Sequence, residues 1–355
     1  MRLLVVTVAA DRSEAHLFAG LRERGFSVEV WADPKRTHPH LSALRLSPHP
    51  LTVRGRIDRA AVRAIRARLA ASPVDIIYAP RNDTLAVALP AARPFRIPVV
   101  GYRGTIGHLS RWNPGDWLTY LSPRVARIAC VSEAVRRYLL TFGMPPERPV
   151  TIHKGHDPAW YADNRFDRAS LNLPPDTFCF GFAGNIRPVK GVDVLLDAVG
   201  SMSSSRPFVL LLAGEIRDPA IEARLRDDKR LKGRVLALGY RTDAWAILGR
   251  CDAVVMPSVE REGLPRAVVE GMAQGVPAVV TDVGGLPELV RDGQEGRVVP
   301  PRDPSALRAA MEDMLADPAR RARWSAAARH RIETDFHITR TIDRYTTLLR
   351  TAAAR

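Results

Sequence analysis

The chain has 355 residues, 46% of them hydrophobic, which suffices for a substantial core and favours two domains of ordinary size. Its longest apolar stretches, such as Phe208-Val209-Leu210-Leu211-Leu212-Ala213, are strand-length and far short of the ~20 residues a membrane-spanning helix needs. The net charge of +15 is uneven, since residues 1–160 carry 24 Lys/Arg against 12 Asp/Glu and the remainder 29 against 26, so the positive field belongs to the first half.

Leu3 to Ala10 is followed at once by Asp11 and Arg12, so Arg2 to Val8 reads as a buried first strand, not as a signal peptide. Ser13 to Arg24 has helix spacing through Leu17 and Leu21 and is closed by Gly25, and Val28 to Trp31 is a second strand. Between Pro34 and Ser72 stand nine bases and one acid, Asp58. On a helix from Ile57 to Ala71, Arg56, Arg59, Arg63 and Arg66 form one stripe, opposite Ile57, Val62, Ile65 and Leu69. That face is either solvated or rests on an anionic lipid or polysaccharide surface. Val74 to Tyr78, Pro98 to Val100 and Arg127 to Val131 continue the strand, helix, strand rhythm of a parallel, doubly wound sheet.

Gly155 to Pro175, polar and Pro-punctuated, separates this half from a second series with strands at Thr177 to Ala183, Phe208 to Ala213, Val235 to Leu238, Ala253 to Met256 and Ala278 to Val280. Ligands of such sheets bind at the carboxyl ends of the strands. Asp335 to Arg355 has helical periodicity through Ile338, Ile342, Tyr345 and Leu349. Cys130, Cys179 and Cys251 are far apart, which fits buried thiols in a reducing cytoplasm and no zinc site or disulfide framework.

Three segments could carry chemistry. Gly184-Asn185-Ile186-Arg187-Pro188-Val189-Lys190-Gly191 lies between a buried strand and a helix; it is an anion site in which Arg187 and Lys190 face a diphosphate, or an ordinary turn with two solvated bases. Glu262 opens a Gly/Pro loop, and Glu270, about two turns on, lies in a small, apolar helix face where a carboxylate needs a reason. Thr281-Asp282-Val283-Gly284-Gly285-Leu286-Pro287-Glu288 is a strand-to-helix turn whose glycines permit close approach to a ligand. The first strand leads into no Gly-x-Gly-x-x-Gly turn, against a nicotinamide dehydrogenase, and no nucleic-acid module accompanies the basic stretch.

From about Phe180 to Arg321 these segments, with Gly239-Tyr240, Pro257-Ser258, Gly275-Val276-Pro277, and Gly293 and Gly296 ahead of Val298, resemble the donor half of family 4 retaining glycosyltransferases of the GT-B fold (glycosyl transferases group 1). The resemblance implies an α/β protein of two Rossmann-like domains with parallel sheets facing across a cleft. Residues 1–160 would bind the acceptor, 161–335 the nucleotide-sugar donor, and helix 336–355 would pack back on the first domain. It implies that Lys190 and Arg187 neutralise the leaving diphosphate, Glu262 holds donor-sugar hydroxyls and Glu270 ribose hydroxyls. Gly184 and Asn185 belong to the same loop. Backbone groups of Gly263, Leu264 and Pro265 would meet phosphate, and Tyr240 the base.

The chain departs from the family in places. Asn185 stands where Arg is frequent, so the cationic role passes to Arg187. Ala9 to Ser13 replaces a Gly-Gly loop, and Arg103 stands where many members have a His, with His108 five residues on. Lys154-Gly155-His156-Asp157 replaces a usual Asn-Gly-Val-Asp.

No two aspartates stand two apart, so no Asp-x-Asp metal site is expected, and no cofactor beyond the nucleotide-diphosphate sugar. The expected partners are that donor, a saccharide or lipid-linked acceptor, and an anionic membrane surface on the cytoplasmic side; nucleic acid is not among them. The alternatives are a degenerate GT-B protein that binds glycan or partner without transfer, and a sugar-nucleotide epimerase.

Overall fold

The computed structural model describes residues 1–36, 39–174 and 176–354; Pro175, at the end of the expected linker, and Arg355, at the end of the expected tail helix, lie outside the described residues, as do Thr37 and His38 in the basic stretch. The chain divides into two compact units, Met1–Gly155 with Ile338–Arg355, and His156–His337.

The first unit is a seven-stranded sheet with strands β1 Arg2–Val6, β2 Ser27–Ala32, β3 His49–Pro50, β4 Ile76–Ala79, β5 Val99–Arg103, β6 Val125–Cys130 and β7 Pro149–Thr151. Their order is β3-β2-β1-β4-β5-β6-β7. All pairings are parallel, with Leu3 facing Val28 on one side and Ile76 on the other. β1 and β4 are buried on both faces, as near-continuous apolar runs in parallel sheets are. The strand order reverses between β1 and β4, which leaves a crevice at their carboxyl ends.

Helix Arg12–Glu23 starts at a capping box: the Asp11 carboxylate accepts from Glu14 N and Glu14 Oε2 from Asp11 N, both at 3.0 Å. The last helix, Ile338–Ala353, lies against it, and Gly20 lets Ile342 come closer than any side chain there would allow. Arg24–Asp343 at 2.8 Å and a 3.0 Å bond between the Tyr78 and Tyr345 hydroxyls fix that helix to the first unit.

The basic helix runs over Arg59–Ala71, not from Ile57, because the Asp58 carboxylate caps it by accepting from Ala60 N and Ala61 N. Ile57 is thereby outside the helix and 81% exposed, and Ala61, Ile65 and Leu69 form the buried face. Arg59, Arg63 and Arg66 are exposed as a stripe, but Arg56 leaves it to pair with Asp116 at 3.5 Å.

The second unit is a six-stranded parallel sheet of β8 Phe178–Ala183, β9 Phe208–Ala213, β10 Val235–Gly239, β11 Ala253–Met256, β12 Ala278–Thr281 and β13 Gly296–Val299. The order is β10-β9-β8-β11-β12-β13, with its reversal between β8 and β11. Alternation along β8 sends Phe178, Phe180 and Phe182 into the larger core with Leu195 and Leu196. Cys179 faces a smaller cluster with Val209, Leu211, Ile247 and Cys251. Each fully buried Phe contributes about 1.5–3 kcal/mol. All three cysteines are buried free thiols, and burial pushes that of Cys130 up to about 12, which makes it inert at neutral pH.

The segment after Gly155 belongs to the second unit from His156 on, where His156 N donates to Phe336 O at 2.9 Å and His156 bridges His337.

Candidate active site

The motifs of the second unit converge because each follows a strand of one parallel sheet, so all of them emerge at its carboxyl edge. The 184–191 loop follows β8, Gly239 ends β10, Glu262 lies beyond β11, and Gly284 and Gly285 lie beyond β12. Their backbones touch. Val259 N donates to Val189 O at 3.0 Å, Gly214 N to Gly239 O at 2.7 Å, and Ile186 N to Glu215 O at 3.0 Å. Two glycines are required by this closeness. Gly191 (φ +63°) abuts Pro257 O and Gly284 (φ +60°) abuts Glu262 O, each so tightly that a Cβ would overlap the carbonyl.

At the centre, Lys190 Nζ donates to Glu262 Oε2 at 2.6 Å, and Ser258 Oγ donates to the same oxygen at 2.6 Å. Glu262 is 7% exposed and Ser258 fully buried, whereas Lys190 reaches solvent. Ser258 is in turn fixed from behind, its carbonyl accepting from Thr281 Oγ1 at 2.5 Å. Arg261, just before Glu262, takes a left-handed φ of +60°, an uncommon state for a non-glycine residue that recurs where a side chain must be aimed. A carboxylate, an ammonium and a hydroxyl are thus preorganised at the end of β11, beside the start of helix Val192–Ser201, whose first amides lack intrahelical acceptors.

Arg187 and Asn185 are exposed on the same loop. Pro265 is the N-cap of helix Arg266–Ala273 and, as an imino acid, has no N–H to give. The backbone donors of that turn are therefore Gly263, Leu264 and the first helical residues, with Pro265 supplying only its shape. Glu270 is mostly buried and pairs with Arg266, one turn earlier, at 3.2 Å. Tyr240 is 74% exposed at the end of β10. The hydroxyl of Ser258 is the contact that sequence reasoning missed; Pro257-Ser258 stood out as a motif, but nothing in its spacing showed the bond to Glu262.

In the first unit, Arg103 ends β5 and is 4% exposed. Its guanidinium donates to Thr105 O at 2.9 Å and to Gly107 O, and lies 4.9 Å from the centre of the Tyr120 ring. His108 follows at a left-handed φ of +64°. Lys154, in its departure from the family pattern, binds Asp11 at 2.6 Å and lies 3.5 Å from Glu14. Burial pushes the Lys154 ammonium down, but the charges of Glu14 and Asp11 outweigh it and hold its pKa above the usual lysine range. Burial also raises the Glu14 carboxyl, against the pull of Lys154. Among the described residues no group of three or more His, Cys, Asp or Glu is placed to hold a metal ion, and no helix is long and apolar enough to cross a membrane.

Two doubly wound parallel sheets, one with glycine loops, a helix start and a Lys–Glu pair at its carboxyl edge, define a two-domain α/β protein. Residues 163–331 match the family model of glycosyl transferases group 1 and residues 11–160 that of glycosyltransferase family 4. The chain belongs to this family, and its fold is GT-B.

Over 215 residues it is 32% identical to D-inositol 3-phosphate glycosyltransferase of Mycobacterium tuberculosis, a match covering 57% of this chain and 44% of that protein, so less than half the length of that curated relative is spanned. A glycosyltransferase structure from Rickettsia africae superposes with a TM-score of 0.84 at 16% identity, covering 99% of this chain and 98% of that one. The Anabaena protein HepE, crystallised with UDP-glucose, superposes with a TM-score of 0.80 at 20% identity, covering 99% and 100%. At these identities the two structures speak for the fold alone.

Proposed function

We propose that the protein is a retaining glycosyltransferase that moves a sugar from a nucleotide-diphosphate sugar to a hydroxyl of a glycan, lipid-linked saccharide or metabolite, without a divalent metal. The observation that carries this reading is the Lys190–Glu262–Ser258 cluster, held by glycine loops at the carboxyl edge of the second sheet. In the reaction, the bond from the anomeric carbon to the diphosphate oxygen breaks, and the acceptor oxygen bonds that carbon from the same side. The acceptor proton passes to the departing diphosphate.

Lys190 swings from Glu262 to the diphosphate, aided by Arg187 and by the free amides at the start of helix Val192–Ser201 and of the Gly263-Leu264 turn. Preorganised charge of this sort commonly supplies the largest share of catalysis. Freed from Lys190, the Glu262 carboxylate accepts from donor-sugar hydroxyls while Ser258 keeps it aimed. Glu270 takes ribose hydroxyls, and Tyr240 offers a ring to the base. The donor bound by HepE makes uridine diphosphate sugars the first to screen. The acceptor binds the first unit, and the protein works at the cytoplasmic face of an anionic membrane.

Titration with a panel of nucleotides and nucleotide sugars, followed by transfer assays, tests the reading. Lys190→Ala and Glu262→Ala each lower kcat about 10²–10³-fold, and chelator leaves the rate unchanged. Absence of binding to every nucleotide and nucleotide sugar would sink the proposal. Binding without transfer to any acceptor would favour a binding protein, and donor turnover without acceptor an epimerase.

A further inference from the structure

Helix Arg266–Ala273 opens at the Gly263-Leu264-Pro265 turn, and the Nε of its first residue, Arg266, lies 3.2 Å from Glu270 Oε1. The pair is laid out against the helix. Arg266 stands at the positive end of the macrodipole and Glu270 four positions toward the negative end, so neither charge is favoured by its place. A carboxylate ahead of a cation at this spacing supports a helix better than the reverse order found here. Helix stability therefore does not account for Arg266.

The two partners also differ in exposure, since the Arg266 side chain is 66% exposed and that of Glu270 only 13%. The contact uses Nε, whereas most N–H donors of a guanidinium belong to its terminal nitrogens, which this exposure leaves open to a ligand. The same arrangement recurs at Glu262, a buried carboxylate held at 2.6 Å by the partly exposed Lys190. Each carboxylate assigned to donor hydroxyls thus has a cation that must release or share it when those hydroxyls arrive. Arg266 does so at the turn whose amides are assigned to phosphate, and its planar fork suits phosphate oxygens.

We propose that Arg266 is a further donor-binding residue, whose guanidinium passes from Glu270 to the diphosphate as ribose hydroxyls take the carboxylate. The proposal rests on the donor reading above and adds to it a third cation beside Lys190 and Arg187. When the bond to the anomeric carbon breaks, the diphosphate keeps the bonding electron pair, and Arg266 offsets the added charge until the acceptor proton reaches that oxygen.

The test titrates the full chain with UDP, GDP and ADP and carries the tightest binder through Arg266→Gln, Glu270→Gln and the double variant. Arg329→Gln is the control, because Arg329 pairs at 2.8 Å with Glu333, four positions on, in helix Pro318–Thr334. Arg266→Gln is expected to weaken the nucleoside diphosphate ~10-fold or more, and by at least the same factor in a chain that already carries Glu270→Gln. Arg329→Gln should leave the affinity unchanged.

A loss that vanishes in the Glu270→Gln chain would mean that Arg266 only aims that carboxylate, which overturns the proposal. Unchanged affinity in Arg266→Gln overturns it too, as does an equal loss in Arg329→Gln. A melting temperature lowered more by Arg266→Gln than by Arg329→Gln would make the pair a helix support and remove the premise. If the wild type binds none of the three diphosphates, the donor reading itself fails and this inference with it; wild-type binding that Arg266→Gln leaves intact sinks this inference alone.

Discussion

Gly191 stands where a single added carbon would push apart the loops that carry Lys190 and Glu262, and Gly284 stands where one would push the loop after β12 away from Glu262. Both have positive φ and both abut a carbonyl, Pro257 O and Glu262 O respectively. Gly191→Ala and Gly284→Ala should therefore destabilise the chain by about 1–3 kcal/mol. They should also weaken nucleotide-sugar binding at least ~10-fold, since the loop shift exceeds the tolerance of a site that depends on sub-ångström placement. Wild-type affinity in either variant, measured by titration calorimetry, would contradict the requirement. Lys154 makes a second residue-scale case. Lys154→Met removes the ammonium shared by the Asp11 and Glu14 carboxylates, at an expected cost of about 1–3 kcal/mol in chemical denaturation; an unchanged midpoint would show that the cluster relaxes into water. The glycine positions were legible in the sequence because a strand, a glycine and a helix start have a local signature. The contact between Lys190 and Glu262 was not, because 72 positions separate them and their meeting depends on β8 and β11 being neighbours in a sheet that is not in chain order.

Besides its buried apolar face, the basic helix Arg59–Ala71 is tied to β2 by the Arg68–Glu29 ion pair, and that pair makes a pH dependence predictable. Arg68 Nε donates to both Glu29 oxygens at 2.8 and 2.9 Å, and Trp31 Nε1 adds a bond at 2.6 Å. Burial pushes the Glu29 carboxyl up, but the Arg68 and Trp31 hydrogen bonds outweigh it, and the group sits below the ordinary glutamate range. A depressed carboxylate stabilises the folded state fully above its unfolded value of about 4.3, and that contribution disappears as the pH falls through the lower folded value. Glu29→Gln should thus be less stable than wild type by roughly 1–3 kcal/mol at pH 7, with the gap closing below about pH 4. A gap that stayed constant from pH 7 to pH 3, read by urea denaturation, would assign the effect to packing. At this scale the long, strongly patterned elements were readable. The helix boundary moved because Asp58 is worth more as a cap than Ile57 is as a first turn, and β3 and β7 escaped notice because strands of two and three residues carry no pattern of their own.

Charge is distributed by half of the chain, and this governs where the whole molecule would settle. Lys/Arg exceed Asp/Glu by two to one in residues 1–160 and nearly balance in the rest, an asymmetry that is a property of composition and so was legible at once. What composition could not show is which apolar residues accompany the charge, because an exposed tryptophan and a core tryptophan look alike in spacing. Trp112 is 94% exposed, and Ile57, Trp117 and Leu118 are exposed as well. The Arg56–Asp116 pair places Ile57, next to Arg56, near the helix Pro114–Trp117. Exposed indole rings suit the headgroup level of a bilayer, and the Arg59, Arg63 and Arg66 stripe suits anionic lipid, each basic residue near the surface contributing about 1 kcal/mol. The full chain should therefore co-sediment with vesicles containing phosphatidylglycerol and release as salt is raised, because the attraction fades beyond a Debye length of about 8 Å at physiological ionic strength. Replacing the three arginines with Gln should weaken binding by about 100-fold, while Trp112→Ser should weaken it at every salt concentration, since burial of an apolar ring is not screened. Equal sedimentation with neutral and anionic vesicles would remove the electrostatic half of this proposal, and an unaltered Trp112→Ser variant would remove the apolar half.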